Sequence, residues 1–331
     1  MICLGVESTA HTFGVGIVTE KGKILADVKD TYKPKLGSGI VPQEAKEHHL
    51  RVKEKVVEKA LEEAKLGMGN IDLVAYSQGP GLPPCLWTGM EFAIKIAGDH
   101  DIPVIGVNHP VAHIEIAKLV TGTQDPVVIY VSGGNTQVIA YASGRYRIFG
   151  ETEDIPIGNA IDTFARKAGL PHPGGPEVEK LARSGHYVEL PYVVKGMDLS
   201  FSGIATAAVK LLKGGKKLED LCYSLQETCF AMLVEVTERA VAHTGKKEVL
   251  LTGGVAANKR LTEMLEIMCR ERGATFNAVP LKYAGDAGAM IAWTGLLAYK
   301  SGERTEKKDP ISRWRTDEVE IKWLTRGEPQ V

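Results

Sequence analysis

The sequence predicts an α/β protein in which one domain plan occurs twice. The first copy reads as strand, small polar turn, strand, hairpin turn and strand, at residues 2–6, 7–12, 13–19, 21–23 and 24–28. The second copy repeats that order at residues 127–131, 132–136, 137–142, 143–145 and 146–149. The two copies begin about 125 residues apart, a spacing typical of one domain.

Two duplicated α/β domains that each open with strand, turn and strand are the architecture of actin, the sugar kinases and acetate kinase, in which both turns face a nucleotide cleft. We assign residues 1–120 together with about 290–324 to the first actin-like subdomain, and residues 121–289 to the second. Residues 325–331 are a tail or linker. The loops Ser132–Thr136 and Gly253–Asn258 are small and glycine-rich, so their backbone N–H groups can approach phosphate oxygens.

The other elements follow from hydrophobic periodicity and from breaker residues. Apolar runs between Gly/Pro turns predict strands at 71–77, 104–107 and 248–251. Helical periodicity predicts helices at 50–66, 85–97, 159–168, 177–183, 218–244, 259–272 and 285–299, with a last short strand at 318–323. His48 and His49 stand at the start of the first helix, where histidines are usually exposed, with contact to phosphate or RNA as the alternative.

Composition narrows the class of protein. The chain has 331 residues, of which 44% are hydrophobic, and this length favours two domains. The formal net charge of −1 does not indicate a nucleic-acid partner, although a local basic face is compatible with it. The five cysteines form no C-x-x-C pair, which indicates reduced, mostly buried thiols. Without a signal peptide or an apolar run of ~18 residues, we expect a soluble, cytoplasmic protein with no membrane partner.

The pair His109 and His113 is the most informative local signal. The two residues lie four apart at the start of a predicted helix, after an extended apolar segment that ends at Asn108. Side chains four apart share one face of a helix, and two such imidazoles can bind one metal ion. Ordinary hydrogen-bonded helix histidines are the alternative that the spacing alone leaves open.

Seven motifs occur in a fixed order along the chain. They are N-H-x-x-x-H-I-E at 108–115, Y-V-S-G-G-N-T-Q at 130–137, G-N-A-I-D at 158–162, P-G-G-P at 173–176, G-M-D-L-S-F-S-G at 196–203, G-G-V-A-A-N at 253–258 and D-x-G-A-M-I-A at 286–292. On these motifs the chain resembles the universal tRNA threonylcarbamoyladenosine transferase family (TsaD/Gcp). It is similar to the archaeal and eukaryotic branch, the catalytic subunit of the KEOPS complex, up to about residue 324.

The resemblance implies a reaction and a metal. The reaction transfers the threonylcarbamoyl group from threonylcarbamoyl-adenylate to N6 of the adenosine 3′ of the anticodon, in tRNAs that read codons beginning with A. The implied metal, held in the interdomain cleft, is one divalent ion per chain, iron or alternatively zinc, and imidazole with carboxylate suits both. Its implied ligands are His109, His113, Asp286 and the Tyr130 hydroxyl. On local grounds alone, Asp286 is equally a helix N-cap.

The resemblance also implies where the adenylate binds, with ATP or AMP as other occupants. The implied contacts are backbone groups of Val131, Ser132, Gly133 and Gly134, ribose contacts from Asp162 and Glu179, a close approach at Gly175, and Asn258. Without the resemblance, the two carboxylates are ordinary helix-surface residues. Glu7 is the acidic candidate for a catalytic role.

Partners are implied in the same way. They are tRNA, a small protein kinase subunit, a small dimerising subunit and an accessory subunit. In some archaea the kinase is fused after this domain, and residues 325–331 resemble the start of a linker as much as a natural end.

Three other functions fit part of the pattern. An actin-like ATPase or sugar kinase holds Mg²⁺ with carboxylates of its first loop, which here offers Glu7 and no aspartate. A zincin metalloprotease needs a glutamate between the two histidines, and residues 110–112 are Pro, Val and Ala. A non-catalytic nucleotide-binding partner of a kinase would keep the metal ligands without turnover.

Overall fold

The computed structural model describes residues 1–34, 39–305 and 309–324. Residues 325–331, expected to be a tail or linker, lie outside the described residues. The strands are β1 (Ile2–Glu7), β2 (Thr12–Thr19), β3 (Ile24–Thr31), β4 (Leu73–Gly79), β5 (Val104–Asn108), β6 (Val127–Val131), β7 (Thr136–Ala142), β8 (Arg145–Glu151), β9 (Val194–Lys195), β10 (Asp198–Leu199), β11 (Glu248–Thr252) and β12 (Thr275–Ala278). The α-helices are α1 (Pro42–Ala64), α2 (Pro83–Asp99), α3 (His109–Thr121), α4 (Ile157–Lys167), α5 (Gly174–Ala182), α6 (Ser202–Lys213), α7 (Leu218–Thr244), α8 (Lys259–Glu271), α9 (Leu281–Ala284) and α10 (Gly288–Lys300).

The chain divides into two compact units. The first contains Met1–Leu119, Ser143–Tyr146 and the described residues from Asp286 onward, and the second contains Val120–Ala142 and Arg147–Gly285. Ser143–Tyr146 and Asp286 therefore belong to the first unit, whereas the division drawn from the sequence put them in the second.

Each unit contains a five-stranded mixed sheet with the same topology. The first sheet has the order β3-β2-β1-β4-β5, with β2 antiparallel to its neighbours and β4 parallel to β1 and β5. The second has the order β8-β7-β6-β11-β12, with β6 antiparallel to β7 and β11 parallel to β6 and β12. The third-second-first-fourth-fifth order occurs twice, which confirms the predicted duplicated α/β fold.

In the first unit, helix α10 packs against strands β1, β2 and β4. This packing needs glycine on both sides, because a Cβ on Gly288 would lie 2.1 Å from the backbone nitrogen of Gly16, and a Cβ on Gly16 would lie 2.0 Å from that of Ala289. Helix α1 packs against β2 and β3, over a core that includes Phe13 and Ile17. The close approach of α10 to the sheet fixes the position of the residues that precede this helix.

In the second unit, the long helix α7 packs against β6 and β7 and contacts α5, α6 and α8. Helix α4 in turn packs against α5 and α6. Gly253 follows β11 with φ +93°, and a Cβ there would lie 2.2 Å from the carbonyl oxygen of Val131. The glycine loop after β11 therefore lies directly against the end of β6.

The observed elements differ from the predicted ones at α1, at α6 and near the C-terminus, and strand β12 was also not predicted. Helix α1 begins at Pro42 rather than at 50, because proline is pre-organised for the first turn even where no apolar period is visible. Helix α6 was not predicted, and its N-terminal amides, at Phe201 and Ser202, donate to Asp154, which lies far away in sequence. The expected strand at 318–323 is instead a 3₁₀ turn, Thr316–Glu318, followed by an isolated bridge between Glu320 and Arg145.

Candidate functional site

His109 and His113 lie on the first turns of α3, directly after strand β5. The side chain of Asn108 accepts a hydrogen bond from the backbone N–H of Val111 (3.1 Å), as an N-cap does. Pro110 is tolerated in the first helical turn, where no intrahelical N–H bond is needed. The strand end, the cap and the four-residue spacing together direct both imidazoles to one side of the helix.

Asp286 completes a group of three possible metal ligands with the two histidines. Nε2 of His113 lies 3.2 Å from Nε2 of His109, and Oδ1 of Asp286 lies 3.3 and 3.5 Å from these two nitrogens. A tetrahedral ion with bonds of about 2.0–2.1 Å spaces its ligand atoms about 3.3 Å apart. The triangle of two nitrogens and one oxygen therefore fits one divalent ion.

Asp286 is the most exposed of the three side chains. His109 and His113 are buried, whereas the side chain of Asp286 is 22% exposed. A catalytic metal keeps a coordination position for water or substrate, and a structural metal is closed. Three protein ligands leave the fourth position of a tetrahedral ion to water or substrate.

The charges of His109 and Asp286 stabilise each other, whereas the charged form of His113 is disfavoured. Burial disfavours the imidazolium of His109, but the charge and hydrogen bond of Glu7, together with Asp286, outweigh it and raise the pKa of His109 to about 9. Burial lowers the pKa of His113, and the neighbouring His109 adds to that effect. Although burial opposes ionisation of Asp286, the hydrogen bond from His113 and the charge of His109 hold its pKa well below the usual range. The carboxylate is thus ionised and available as a ligand.

Glu7 contacts His109 from the side opposite Asp286. Its Oε2 lies 2.9 Å from Nδ1 of His109, while its Oε1 accepts hydrogen bonds from the backbone N–H (2.7 Å) and the hydroxyl (2.6 Å) of Thr9. Glu7 is fully buried at the end of β1. A carboxylate on the second ring nitrogen fixes the tautomer and orientation of a metal-binding histidine.

The alternative role of Asp286 as an N-cap is wrong. Helix α10 begins at Gly288, its N-cap position is Ala287, and no side chain of that position caps it. The backbone N–H of Ala289 instead donates to Oδ1 of Asp27 on β3 (3.1 Å). The carbonyl of Asp286 accepts from the ammonium of Lys29 (3.0 Å), so the backbone is held while the carboxylate turns to the histidines.

The second unit contains a cavity of about 290 Å³. It is lined by Gly133, Gly158, Ile161, Asp162, Pro173, Gly175, Pro176, Glu179, Gly254, Val255, Ala257 and Asn258. Five of the nucleotide contacts expected from the resemblance are among these residues: Gly133, Asp162, Gly175, Glu179 and Asn258. The cavity combines glycine loops with two carboxylates, the composition that suits a nucleotide with its phosphates and ribose.

The polar side chains of the cavity also hold its walls together. Oδ1 of Asp162 accepts from the backbone N–H of Gly174 (2.8 Å), and Oε1 of Glu179 accepts from that of Lys259 (3.2 Å). The side chain of Asn258 caps α8 and donates to Gln226 (2.9 Å). Each carboxylate uses one oxygen in these bonds and keeps a second oxygen as an acceptor.

The other expected contacts are not in the cavity lining. The hydroxyl of Ser132 accepts from the N–H groups of Gly134 (3.1 Å) and Asn135 (2.9 Å), and Val131 is buried in β6. Tyr130 belongs to the second unit, and its hydroxyl accepts from the side-chain amide of Asn135 (3.5 Å).

His48 and His49 are not exposed, contrary to the expectation. Because α1 begins at Pro42, both lie two turns inside the helix, and both are buried. Nε2 of His48 lies 2.9 Å from Oδ1 of Asp30, and the ring of His49 packs 5.5 Å from that of Phe13. Burial lowers the pKa of His49 to about 4. These histidines belong to the packing of α1 on the first sheet.

The cysteines offer no nucleophile. All five are buried and free, and burial raises their pKa values, to about 11 for Cys85 and Cys269. The thiolate, which is the reactive form, is therefore scarce at neutral pH.

Within the described ranges, no helix has both the length and the apolar character needed to cross a bilayer.

Solved structures share the fold of this chain. HypF of T. kodakarensis matches with a TM-score of 0.62 and 16% identity, over 94% of this chain and 49% of that protein. Component A of the (R)-2-hydroxyglutaryl-CoA dehydratase of Acidaminococcus fermentans matches with a TM-score of 0.55 and 14% identity, over 92% of this chain and 100% of that one. At these identities the likeness concerns the fold alone, and it confirms the actin-like architecture.

Sequence comparisons are more specific. The family model described as TsaD, tRNA N6-adenosine threonylcarbamoyltransferase, matches residues 23–293. Proteins of that name are 55% identical in Methanopyrus kandleri, over 98% of this chain and 97% of the relative, and 58% identical in Thermococcus kodakarensis, over 98% and 100%. A longer Methanothermobacter thermautotrophicus protein, named as bifunctional in tRNA threonylcarbamoyladenosine biosynthesis, is 52% identical over 99% of this chain and 62% of its own length. This chain therefore belongs to the tRNA N6-adenosine threonylcarbamoyltransferase family of acyltransferases.

Proposed function

We propose that this protein transfers the threonylcarbamoyl group of threonylcarbamoyl-adenylate to N6 of the adenosine 3′ of the anticodon, in tRNAs that read codons beginning with A. The observation that carries the proposal is the triangle of His109, His113 and Asp286, with its ligand spacing and the partial exposure of Asp286, in a member of this family. Family membership supplies the class of reaction, and the triangle supplies a site at which charge can be stabilised.

The adenylate occupies the cavity of the second unit in this proposal. Asp162 and Glu179 accept hydrogen bonds from the ribose hydroxyls with the carboxylate oxygens that the backbone amides leave available. Gly133 and Gly175 present backbone without side chains, so phosphate oxygens can approach their N–H groups. Gly175 also lies in the first turn of α5, where the helix dipole favours an anion. ATP or AMP would bind through the same contacts.

The metal is one divalent ion, iron or alternatively zinc, bound by His109, His113 and Asp286. When bound there, it would supply Lewis-acid stabilisation of developing negative charge. Glu7 acts as a positioning residue, because its bond to Nδ1 of His109 leaves Nε2 of that ring directed at Asp286 and His113. The role that the resemblance gives to the Tyr130 hydroxyl stays a prediction.

The reaction needs no covalent enzyme intermediate. The adenosine N6 forms a bond to the carbonyl carbon of the donor, the bond from that carbon to the AMP phosphate oxygen breaks, and N6 loses one proton. AMP is a stable leaving group, so orientation and charge stabilisation suffice. The high pKa values of the buried cysteines agree with a mechanism without a thiolate.

As the resemblance implies, we propose that a protein kinase subunit, a small dimerising subunit and an accessory subunit of a KEOPS-type complex act with this chain. The bifunctional name of the longer relative supports an assembly that joins two activities. Because tRNA is the substrate, we assign the activity to the cytoplasm.

The experiment is nucleoside mass spectrometry of an A-codon-reading tRNA incubated with threonylcarbamoyl-adenylate and the metal-loaded complex. We expect a threonylcarbamoyl mass on adenosine, and none when that adenosine is replaced by guanosine. Asp162→Asn should raise the KM for the donor about tenfold, since one charged hydrogen bond to ribose is lost. Glu177→Gln is the matched control, because Glu177 lies near this site on α5 but outside the cavity lining. Absence of product with all partners bound would contradict the proposal.

A further inference from the structure

A second concave surface lies on the second unit, between helices α4 and α6. This groove has a volume of about 420 Å³. Its lining residues are Ile155, Thr163, Lys167, Ser202, Ala205, Thr206, Val209, Lys210 and Lys213. None of these residues lines the adenylate cavity. The groove is therefore a separate site.

Three lysines surround the groove. Lys167 ends α4, and Lys210 and Lys213 lie in the last turn of α6. All three are exposed, and in the described part of the chain none forms an ion pair with a carboxylate. Their charges are thus available to a partner.

The positive charge extends beyond the groove itself. Arg166 precedes Lys167, and Lys216 and Lys217 follow α6 in the short loop Gly214–Lys217, all of them exposed. At the N-terminus of α6, the end opposite to the lysines, the carboxylate of Asp154 is held by the backbone amides of Phe201 and Ser202 and by the hydroxyl of Ser202. In a protein of net charge −1, this cluster is a local basic face.

The surface between the lysines suits a nucleotide chain better than a small anion. Ile155, Ala205 and Val209 form an apolar floor. The hydroxyls of Ser202, Thr206 and Thr163 line it and can accept further hydrogen bonds. Phosphates bound by lysine, with sugars and bases on an apolar surface, are the usual composition of a site for the nucleic-acid backbone.

Helix α4 connects this groove to the donor cavity. Asp162 lines the adenylate cavity, whereas Thr163 and Lys167, four apart on one helical face, line the groove. We propose that the α4–α6 groove binds the sugar-phosphate backbone of the tRNA substrate, and so holds the tRNA beside the helix that binds the donor. This inference rests on the proposed function, since it takes tRNA as the polyanion.

The test compares three triple variants in the metal-loaded complex. Lys167→Gln/Lys210→Gln/Lys213→Gln removes the charges, the corresponding Lys→Arg triple keeps them, and Lys21→Gln/Lys23→Gln/Lys247→Gln removes three exposed charges elsewhere. We measure the KM for tRNA, kcat, and tRNA affinity as a function of salt concentration.

We expect the groove Gln triple to raise the KM for tRNA about tenfold or more at 0.1 M salt, because phosphate contacts dominate such binding. The magnitude of the slope of log affinity against log salt should fall by about 2–3, since each of the three phosphates that lysine no longer neutralises contributes about 0.7–0.9. kcat at saturating tRNA should stay within about twofold, and the Arg triple and the distant Gln triple should match the wild type.

Unchanged tRNA affinity and salt slope in the groove Gln triple would overturn the inference, as would an equal loss in the distant triple. A lowered Tm with normal tRNA binding would also overturn it, since the lysines would then only stabilise their helix ends. Failure of the proposed function is distinguishable, because the wild type would then bind tRNA without forming product, and the binding measurements would still test the groove.

Discussion

Oε2 of Glu7 lies 2.9 Å from Nδ1 of His109, and this contact leaves Nε2 of the same ring 3.2 Å from Nε2 of His113. A fully buried carboxylate thus sits behind a buried histidine that faces two other ligand atoms. Glu7→Gln should lower metal affinity by about 10- to 100-fold. The neutral amide removes the negative charge next to His109 and holds the tautomer of that ring less strongly. Competition with a chromogenic chelator measures this affinity.

The matched control is Glu91→Gln, which changes an exposed glutamate on α2 of the same unit. Its metal affinity should equal that of the wild type. Equal affinities in Glu7→Gln and Glu91→Gln would show that Glu7 does not position His109.

Two aspartates close to the start of α10 have separate tasks. Asp27 caps the helix through the N–H of Ala289, whereas Asp286 faces the histidines. Asp27→Ala should cost about 1 kcal/mol of stability and leave metal binding intact, since a lost cap affects only the helix. Asp286→Asn should abolish tight metal binding, so that added metal no longer raises the Tm, and should also destabilise the metal-free protein, because the buried carboxylate beside His109 and His113 is lost. Thermal unfolding with and without metal compares the two variants. Loss of the metal-dependent rise in Tm in Asp27→Ala, with that rise kept in Asp286→Asn, would contradict the assignment.

His49 makes the fold sensitive to acid. Burial, with the electrostatic effect of the neighbouring His48 adding to it, lowers the folded-state pKa of His49 to about 4, against an unfolded value of about 6.5. The carboxylate of Glu7 opposes this shift, and His11 adds to it. The unfolded chain therefore takes the proton first, so stability is full above about pH 6.5 and declines between pH 6.5 and 4. This group should account for a loss of about 2–3 kcal/mol by pH 4.5.

Denaturant unfolding of the chelated protein at pH 7 and pH 4.5 measures this loss. In His49→Gln, which cannot be protonated in this range, the difference between the two pH values should shrink by that amount. A difference as large as in the wild type would show that other groups carry the acid sensitivity.

Helix α3 is also held by a buried polar cluster. The hydroxyl of Tyr146 donates to the carboxylate of Glu115 and accepts from the ammonium of Lys118 (3.2 Å), and all three residues are buried. Tyr146→Phe should destabilise the protein by about 1–3 kcal/mol, because the buried carboxylate loses a hydrogen bond. Tyr187→Phe, at a tyrosine that is 58% exposed, should change stability little. Denaturant midpoints of the two variants compare the effects, and equal midpoints would contradict a structural role for the cluster.

The sequence predicted the duplicated fold because its evidence is local. Each unit begins with a strand, a turn and a second strand, and this apolar pattern is complete within about 20 residues. The same pattern therefore occurs twice in the sequence without any distant contact being needed to recognise it. The four-residue spacing of His109 and His113 is local as well. Asp286 is distant in sequence, and it was named from the family motif rather than from any local pattern.

What the sequence missed depends on distant contacts. Asp27 caps α10 from another strand, and Asp154 caps α6 across more than 40 residues, so no local window contains the cap and its helix. His48 and His49 are buried because α1 extends back to Pro42 and packs on β2 and β3. The lysines of the α4–α6 groove come from two helices, and only the packing of those helices brings them around one surface.

The rate of transfer as a function of bound metal tests most directly whether the ion held by His109, His113 and Asp286 is needed for the reaction. The chelated complex is reloaded in steps with Fe²⁺ or Zn²⁺, metal is counted by mass spectrometry, and single-turnover transfer to tRNA is measured at each step. We expect a rate that rises in proportion to occupancy and reaches its maximum at one ion per chain. We also expect that His109→Ala/His113→Ala binds no ion at this site and transfers nothing. Full transfer by the metal-free wild type, or by the double variant, would contradict a metal-dependent reaction at this site.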